Sequence, residues 1–172
     1  MDQCDPMWWF SPEETGMIME YKTGVVVSSQ NLGDDFNKTY GERAYLIHDR
    51  MELSHYNRTR QHDDVDPVRF IWFGASMNRL TIYGAWANLS RLAANGYNIE
   101  LSMMDDRGGS TQFRLGTELP AYQVQWSLER EVDVLTAHDI ALLPPYPGPW
   151  GEVKSANKKR TAGACGLPVT SG

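Results

Sequence analysis

Asp139-Ile140-Ala141-Leu142-Leu143-Pro144-Pro145-Tyr146-Pro147-Gly148-Pro149-Trp150, followed by Lys154-Ser155-Ala156-Asn157-Lys158 and by Leu167-Pro168-Val169, is the stretch that decides the fold. Residues 140–143 form an apolar run of strand length. The proline-rich residues after it predict no regular element, and residues 154–158 predict a helix start. Ser155 is the expected cap of that helix, which would put Lys154 and Lys158 one turn apart on one side. Lys154, Lys158, Lys159 and Arg160 follow Glu152 with no further acid, in a chain of formal net charge −6. Strand, loop, basic helix start and second strand, in that order, predict a crevice for phosphate groups.

Upstream, Phe70-Ile71-Trp72-Phe73 reads as a strand ending at Gly74, and Leu80, Tyr83, Trp86, Ala87, Leu89 and Leu92 recur at helical spacing before Asn95-Gly96. Residues 98–104 and 122–126 give further strands, and residues 128–137 a helix. Between residues 104 and 122 the helical signal is weak, so an irregular or short-helical crossover is expected. Strands and helices alternating at these lengths predict an α/β fold, a Rossmann-like parallel sheet with helices on both faces. Nearer the start, Ser11-Pro12 opens a helix, Val25-Val26-Val27 is β-branched, a helix near 30–40 ends at Gly41, and residues 44–47 are extended. Residues 50–66 turn polar and charged and read as a linker. The expected division is therefore a partial N-terminal α/β segment with linker over 1–66, and a Rossmann-like domain over 67–172.

With 172 residues, 41% of them hydrophobic, the chain can bury a real core. Its acidic balance argues against nucleic-acid binding, which needs a broad cationic face. Cys4 and Cys165 supply neither a disulfide framework nor a zinc spacing, which fits a cytoplasmic setting. No apolar run nears the roughly 18 residues of a membrane span, which leaves peripheral membrane contact open.

In an open parallel sheet, ligands bind beyond the carboxyl ends of the strands, where strand order reverses. The loops after Phe73 and Leu143 are the places to search. Gly74, Ser76, Asn78 and Arg79 form one candidate phosphate loop, with glycine allowing close backbone approach. Lys154, Ser155, Asn157 and Lys158 form the other, two cations suiting a nucleotide diphosphate. Trp150, beside the basic segment, either stacks on a ligand or packs. Trp72, Trp86 and Trp126 read as core. Adjacent acids at Asp63-Asp64 and Asp105-Asp106 read as loop charge, and no metal is expected. His48, His55 and His62 recur every seven residues, but seven helical residues rise roughly 10 Å, too far for neighbours to share an ion. Gly163 and Gly166 follow the basic segment instead of preceding it, which disfavours a dinucleotide cofactor.

These motifs resemble a glycosyltransferase of the GT-B class, in the retaining group called group 1 or family 4. The likeness rests on residues 139–144, Lys154-Ser155, Asn157-Lys158 and the Ala-Gly-Ala-Cys-Gly-Leu-Pro-Val run at 162–169. Residues 70–74 resemble the first strand and glycine turn of the same domain, and residues 4–9, 27–29 and 47–50 the closing part of the N-terminal domain. The resemblance implies a fragment: the end of the acceptor domain plus most of the donor-binding domain. It implies transfer of a sugar from a nucleotide-diphosphate sugar to an acceptor hydroxyl, with retention, on a glycan, lipid or protein. No cofactor or metal is implied beyond the donor. The family's paired glutamates, eight apart, would fall on Val153 and Thr161, with Glu152 adjacent to the first. Glu152 and Thr161 are thus expected to line the site, and no catalytic residue is assigned. A non-catalytic nucleotide-sugar-binding or interaction module of the same fold remains the alternative.

Overall fold

The computed structural model describes residues 2–63, 66–107, 111–113 and 118–170. By contacts the chain divides into two units, Met1–Arg50 with Tyr146–Asn157, and Met51–Pro145 with Lys158–Gly172.

In the first unit, strands β1 (Asp2–Gln3), β2 (Val25–Val27) and β3 (Ala44–Leu46) pair in parallel in that order. Helix α1 (Pro12–Tyr21) carries proline at its first position, where the missing N–H costs nothing. Helix α2 (Gln30–Tyr40) is bounded as its sequence predicts. The Ser29 hydroxyl accepts from the Leu32 amide at its start, and Gly41 ends it at φ 66°, a conformation that favours glycine. Trp8, Val25, Val27, Leu32 and Phe36 form the core, and Val153 joins them from a short helix, Pro149–Val153. Sequence predicts no regular element here. Pro149 instead opens a helical turn, since its fixed φ suits a first helical position.

The second unit is built around β4 (Val68–Phe73), followed by α3 (Ile82–Ala94), β5 (Ile99–Asp105), β6 (Thr111–Phe113), β7 (Ala121–Gln125), α4 (Leu128–Thr136), β8 (Ile140–Leu142), the Asn157–Ala164 helix and β9 (Val169–Thr170). The sheet order is β6-β7-β5-β4-β8-β9, five strands parallel and β6 antiparallel to β7. The α/β expectation is met at this level. The crossover expected to be irregular or short-helical contains the strand β6. Residues 108–110 and 114–117 lie outside the described set, as do Asp64 and Val65.

Alternation along the strands explains why both faces are covered. On β4, Phe70 and Trp72 face one cluster with Leu101, Met103 and Leu142, against Ile82, Trp86 and Leu89 of α3. Ile71 and Phe73 face the other, with Met104, Ala141 and Leu143, against Leu135 of α4 and Ala162 and Cys165 beyond it. Trp72 and Trp86 are core, as expected, but Trp126 is 43% exposed just after β7, where the strand has already left the sheet's cover. Among the described residues, no helix is long and apolar enough to cross a membrane.

The expected linker is not one. Residues 51–63 belong to the second unit and are fastened to it. The Tyr56 hydroxyl donates to Glu131 Oε2 at 2.9 Å, and Arg60 donates through Nε and Nη2 to Asp139 Oδ1 at 3.1 and 2.7 Å. The Arg60 amide donates to the Cys165 carbonyl, and Arg58 pairs with Asp133. The reason is electrostatic. Glu131 and Asp139 are buried, and a buried carboxylate needs partners that its own elements do not supply.

Candidate functional site

Taken from β4, the parallel strands are visited as first (β4), second (β5), third (β7), fourth (β8) and fifth (β9), so the spatial order is third, second, first, fourth, fifth. Order reverses between β4 and β8. The reversal lies beside the loops after Phe73 and Leu143 to which the sequence directs the search, the position at which open sheets of this order bind ligands.

Gly74 sits at the end of β4, its amide bonded to the Met104 carbonyl at 3.1 Å. A Cβ built there would overlap the Lys158 ammonium and lie 3.1 Å from the Lys158 Cε. Glycine thus leaves the space that Lys158 fills. The Lys158 Nζ also lies 5.6 Å from the centre of the Trp72 ring, within cation–π range. Lys158 comes from the Asn157–Ala164 helix, which follows β8, so a cation from the fourth strand's crossover stands over the first strand's glycine.

The rest of the loop after Gly74 differs from a phosphate cradle. Ser76 opens a six-residue 3-10 turn, Ser76–Thr81, and its amide donates to Asp106 Oδ1 at 2.6 Å. That amide is already bonded to an anion. Bonds from the Ser76 amide and hydroxyl hold the Asp106 carboxyl below the usual carboxylate range, so it is ionised at neutral pH. Arg79 is engaged as well, donating through Nε and Nη2 to the fully buried Asp105 at 2.6 and 2.8 Å. The Arg107 amide adds a third bond to Asp105. Burial requires this pairing, and it raises the Arg79 pKa further. Asn78 contributes its carbonyl to the Thr81 hydroxyl, which in turn accepts from the Trp72 indole.

The second expected group divides between the units. Lys154, Ser155 and Asn157 belong to the first unit, and Lys158 to the second. The expected single helix is not formed: Lys154 is extended at φ −62°, ψ 145° after the Pro149–Val153 helix, and the next helix starts only at Asn157. Ser155 therefore falls two residues before that helix instead of at its cap. Lys154 pairs with Asp5 and lies 4.7 Å from the Trp150 ring centre. Trp150 packs edge-on against Phe10 at 5.0 Å and lies 6.2 Å from Trp9, so its indole has a structural seat in the first unit. The Glu152 carbonyl accepts from Asn31 at 2.8 Å, also in the first unit. Thr161 is buried in the second, its hydroxyl directed at Met51 Sδ.

The structure thus brings Lys158 to Gly74 at the end of β4, engages Ser76 and Arg79 of the following turn with Asp106 and Asp105, and leaves Lys154, Ser155, Asn157, Trp150 and Glu152 in the other unit. Asp105 and Asp106, read from sequence as loop charge, are the residues it adds. Their signal was their place, Asp105 ending the apolar strand β5 and Asp106 directly following it. No protein-family model matches the chain, and no curated protein matches it in sequence.

Proposed function

We propose that the second unit binds the diphosphate of a nucleotide sugar at the strand-order reversal, as the donor-binding part of a glycosyltransferase. The observation that carries this reading is the Lys158 ammonium over the side-chain-free Gly74. A cation next to open backbone at the end of the first parallel strand suits a doubly charged phosphate bridge. In transfer, the anomeric carbon's bond to the diphosphate breaks, and its electron pair leaves with the diphosphate. The acceptor oxygen bonds to that carbon and its proton passes to solvent or phosphate. Lys158 would stabilise the charge growing on the leaving group, which is usually the largest catalytic contribution. Titration calorimetry with UDP, GDP and ADP tests this. Lys158→Ala is expected to weaken binding about tenfold or more, and equal affinity in the variant removes the assignment.

A second reading, donor binding without transfer, has its own support. The position where the resembled family places its second glutamate is the buried Thr161, which has no carboxylate to offer. Sugar transfer by the chain, lost in Lys158→Ala, would decide for the enzyme.

A further inference from the structure

Strand β3 is the outer strand of the first unit's sheet, with no strand beyond it among the described residues. It is apolar for an edge. Tyr45, Leu46 and Ile47 are 56%, 39% and 53% exposed, and neither proline nor lysine blunts the stretch from Glu42 to Arg50. An exposed apolar edge is a template for pairing with another chain. Which backbone groups it offers follows from its inner side. The Ile47 amide donates to the Val27 carbonyl, and Tyr45 shares its phase of the alternation, so residues 45 and 47 bond inward to β2. Ala44, Leu46 and His48 therefore turn their backbone groups outward. The Ala44 amide agrees with that phase, since it donates to Asn37 Oδ1 at 2.8 Å instead of to β2, and the Ala44 carbonyl faces the open edge.

The charges that flank this edge are complementary to themselves. Glu42-Arg43 precede the apolar residues and Asp49-Arg50 follow them, an acid then a base on each side. An antiparallel copy centred on Leu46 sets Arg43 opposite the second copy's Asp49 and Glu42 opposite its Arg50, with each pair repeated by symmetry. A parallel copy in register would set every charge against its like, which is unfavourable. Centring on Leu46 also suits the backbone. The two Leu46 residues then meet as a hydrogen-bonded pair, and each His48 amide donates to the Ala44 carbonyl across the edge. Tyr45 lies opposite the second copy's Ile47, which covers apolar surface that one chain leaves to water. Arg43, whose guanidinium lies 5.7 Å from the centre of the Tyr45 ring, shares that face. Glu42 also pairs with Lys22 of its own chain, so the Arg43–Asp49 pair carries more of the selection. We propose that β3 pairs edge to edge and antiparallel with β3 of a second copy, joining the two sheets into one. The contact is isologous, so it closes at a dimer.

Sedimentation velocity of the full chain at rising concentration tests this. Wild-type protein is expected to pass from monomer to dimer and to stop there. Leu46→Pro removes the central outward N–H and keeps the inner ladder to β2, a change that edge strands tolerate. It is expected to give a chain that is folded by circular dichroism and monomeric throughout. Arg43→Asp sets like charges opposite each other on both sides of the centre and is expected to weaken dimerisation about tenfold. Asp49→Arg should do the same. The double exchange, Arg43→Asp with Asp49→Arg, should restore wild-type association, and that recovery separates a lost pair from a misfolded chain. A wild type that stays monomeric at every concentration overturns the proposal and leaves the edge to a different partner or to none. A dimer that persists in Leu46→Pro overturns it too, as does a double exchange that associates no more tightly than the single variants.

Discussion

The two ends of the larger sheet each bury one aspartate against one arginine, and the pairs differ in what they hold. At the amino end, Asp139 takes Arg60 from the strap at 51–63 and the backbone amide of Arg69, tying the strap and the start of β4 to the start of β8. At the carboxyl end, Asp105 takes Arg79 and the Arg107 amide, shaping only the loops around the crevice. The first pair is nearly shut off from water, with side chains 18% and 6% exposed. In the second, Arg79 keeps a third of its side-chain surface. The same chemistry is thus a fastener at one end and a positioning device at the other, because Asp139 reaches the 51–63 strap and β4 whereas Asp105 reaches only neighbouring loops.

The largest effect should come from breaking the fastener. Asp139→Ala leaves Arg60 buried without its partner and is expected to cost about 3–5 kcal/mol in a guanidinium melt. A loss below about 1 kcal/mol would mean that the strap is held mainly by Tyr56 and its neighbours. Asp105→Ala should cost less, about 2 kcal/mol, since the released Arg79 can turn to water. Its stronger signature should be altered nucleotide affinity, which Asp139→Ala lacks in any molecule that stays folded. Gly74→Ala sharpens the contrast further. It is expected to change stability by less than about 1 kcal/mol, because the clash is with the mobile end of a lysine. Displacing that ammonium should still weaken diphosphate binding about tenfold, read by calorimetry.

Titration behaviour gives the smallest and most local test, all of it at the amino end and in the strap. His138 is buried, which pushes its pKa below the ordinary value. Stability is therefore present above about pH 6.5 and is lost as pH falls, because the unfolded chain takes up a proton first. His138→Gln should flatten that acid limb in melts at stepped pH. Burial and the bond to Glu131 push Tyr56 up to about 12, and burial pushes Cys165 up to about 11. Both contributions are complete below the unfolded values and vanish as pH rises through those figures. Tyr56→Phe should remove the upper part of the alkaline loss, and an unchanged alkaline limb would show that the strap does not depend on this hydroxyl.

Much of the fold is legible in the chain. Val68–Phe73 alternates between two cores, Ile82, Trp86 and Leu89 recur on one helical face, and Ser29 and Gly41 bound α2, all short-range patterns. The search position after Phe73 also follows from the order of elements. Other features were not legible. β6 pairs with β7 in a stretch of weak helical signal, and strand pairing depends on a partner that lies elsewhere in the chain. Lys154 and Lys158 look like neighbours on one helix, yet a break at Ser155-Ala156 sends them to different units. Trp126 has the composition of a core residue and ends exposed, because it stands one residue past the end of its strand.

By itself, the sequence determined the alternation of strands and helices and the two-faced character of the central strand, since these depend on periodicity and on residues near one another in the chain. Tertiary structure alone decided which charges pair. Arg79 and Asp105 are 26 residues apart, and Arg60 and Asp139 are 79 apart. Only the strand order brings such groups within hydrogen-bonding distance, and burial then makes their pairing obligatory. The same order brings the Lys158 ammonium to Gly74, a placement that no local pattern encodes.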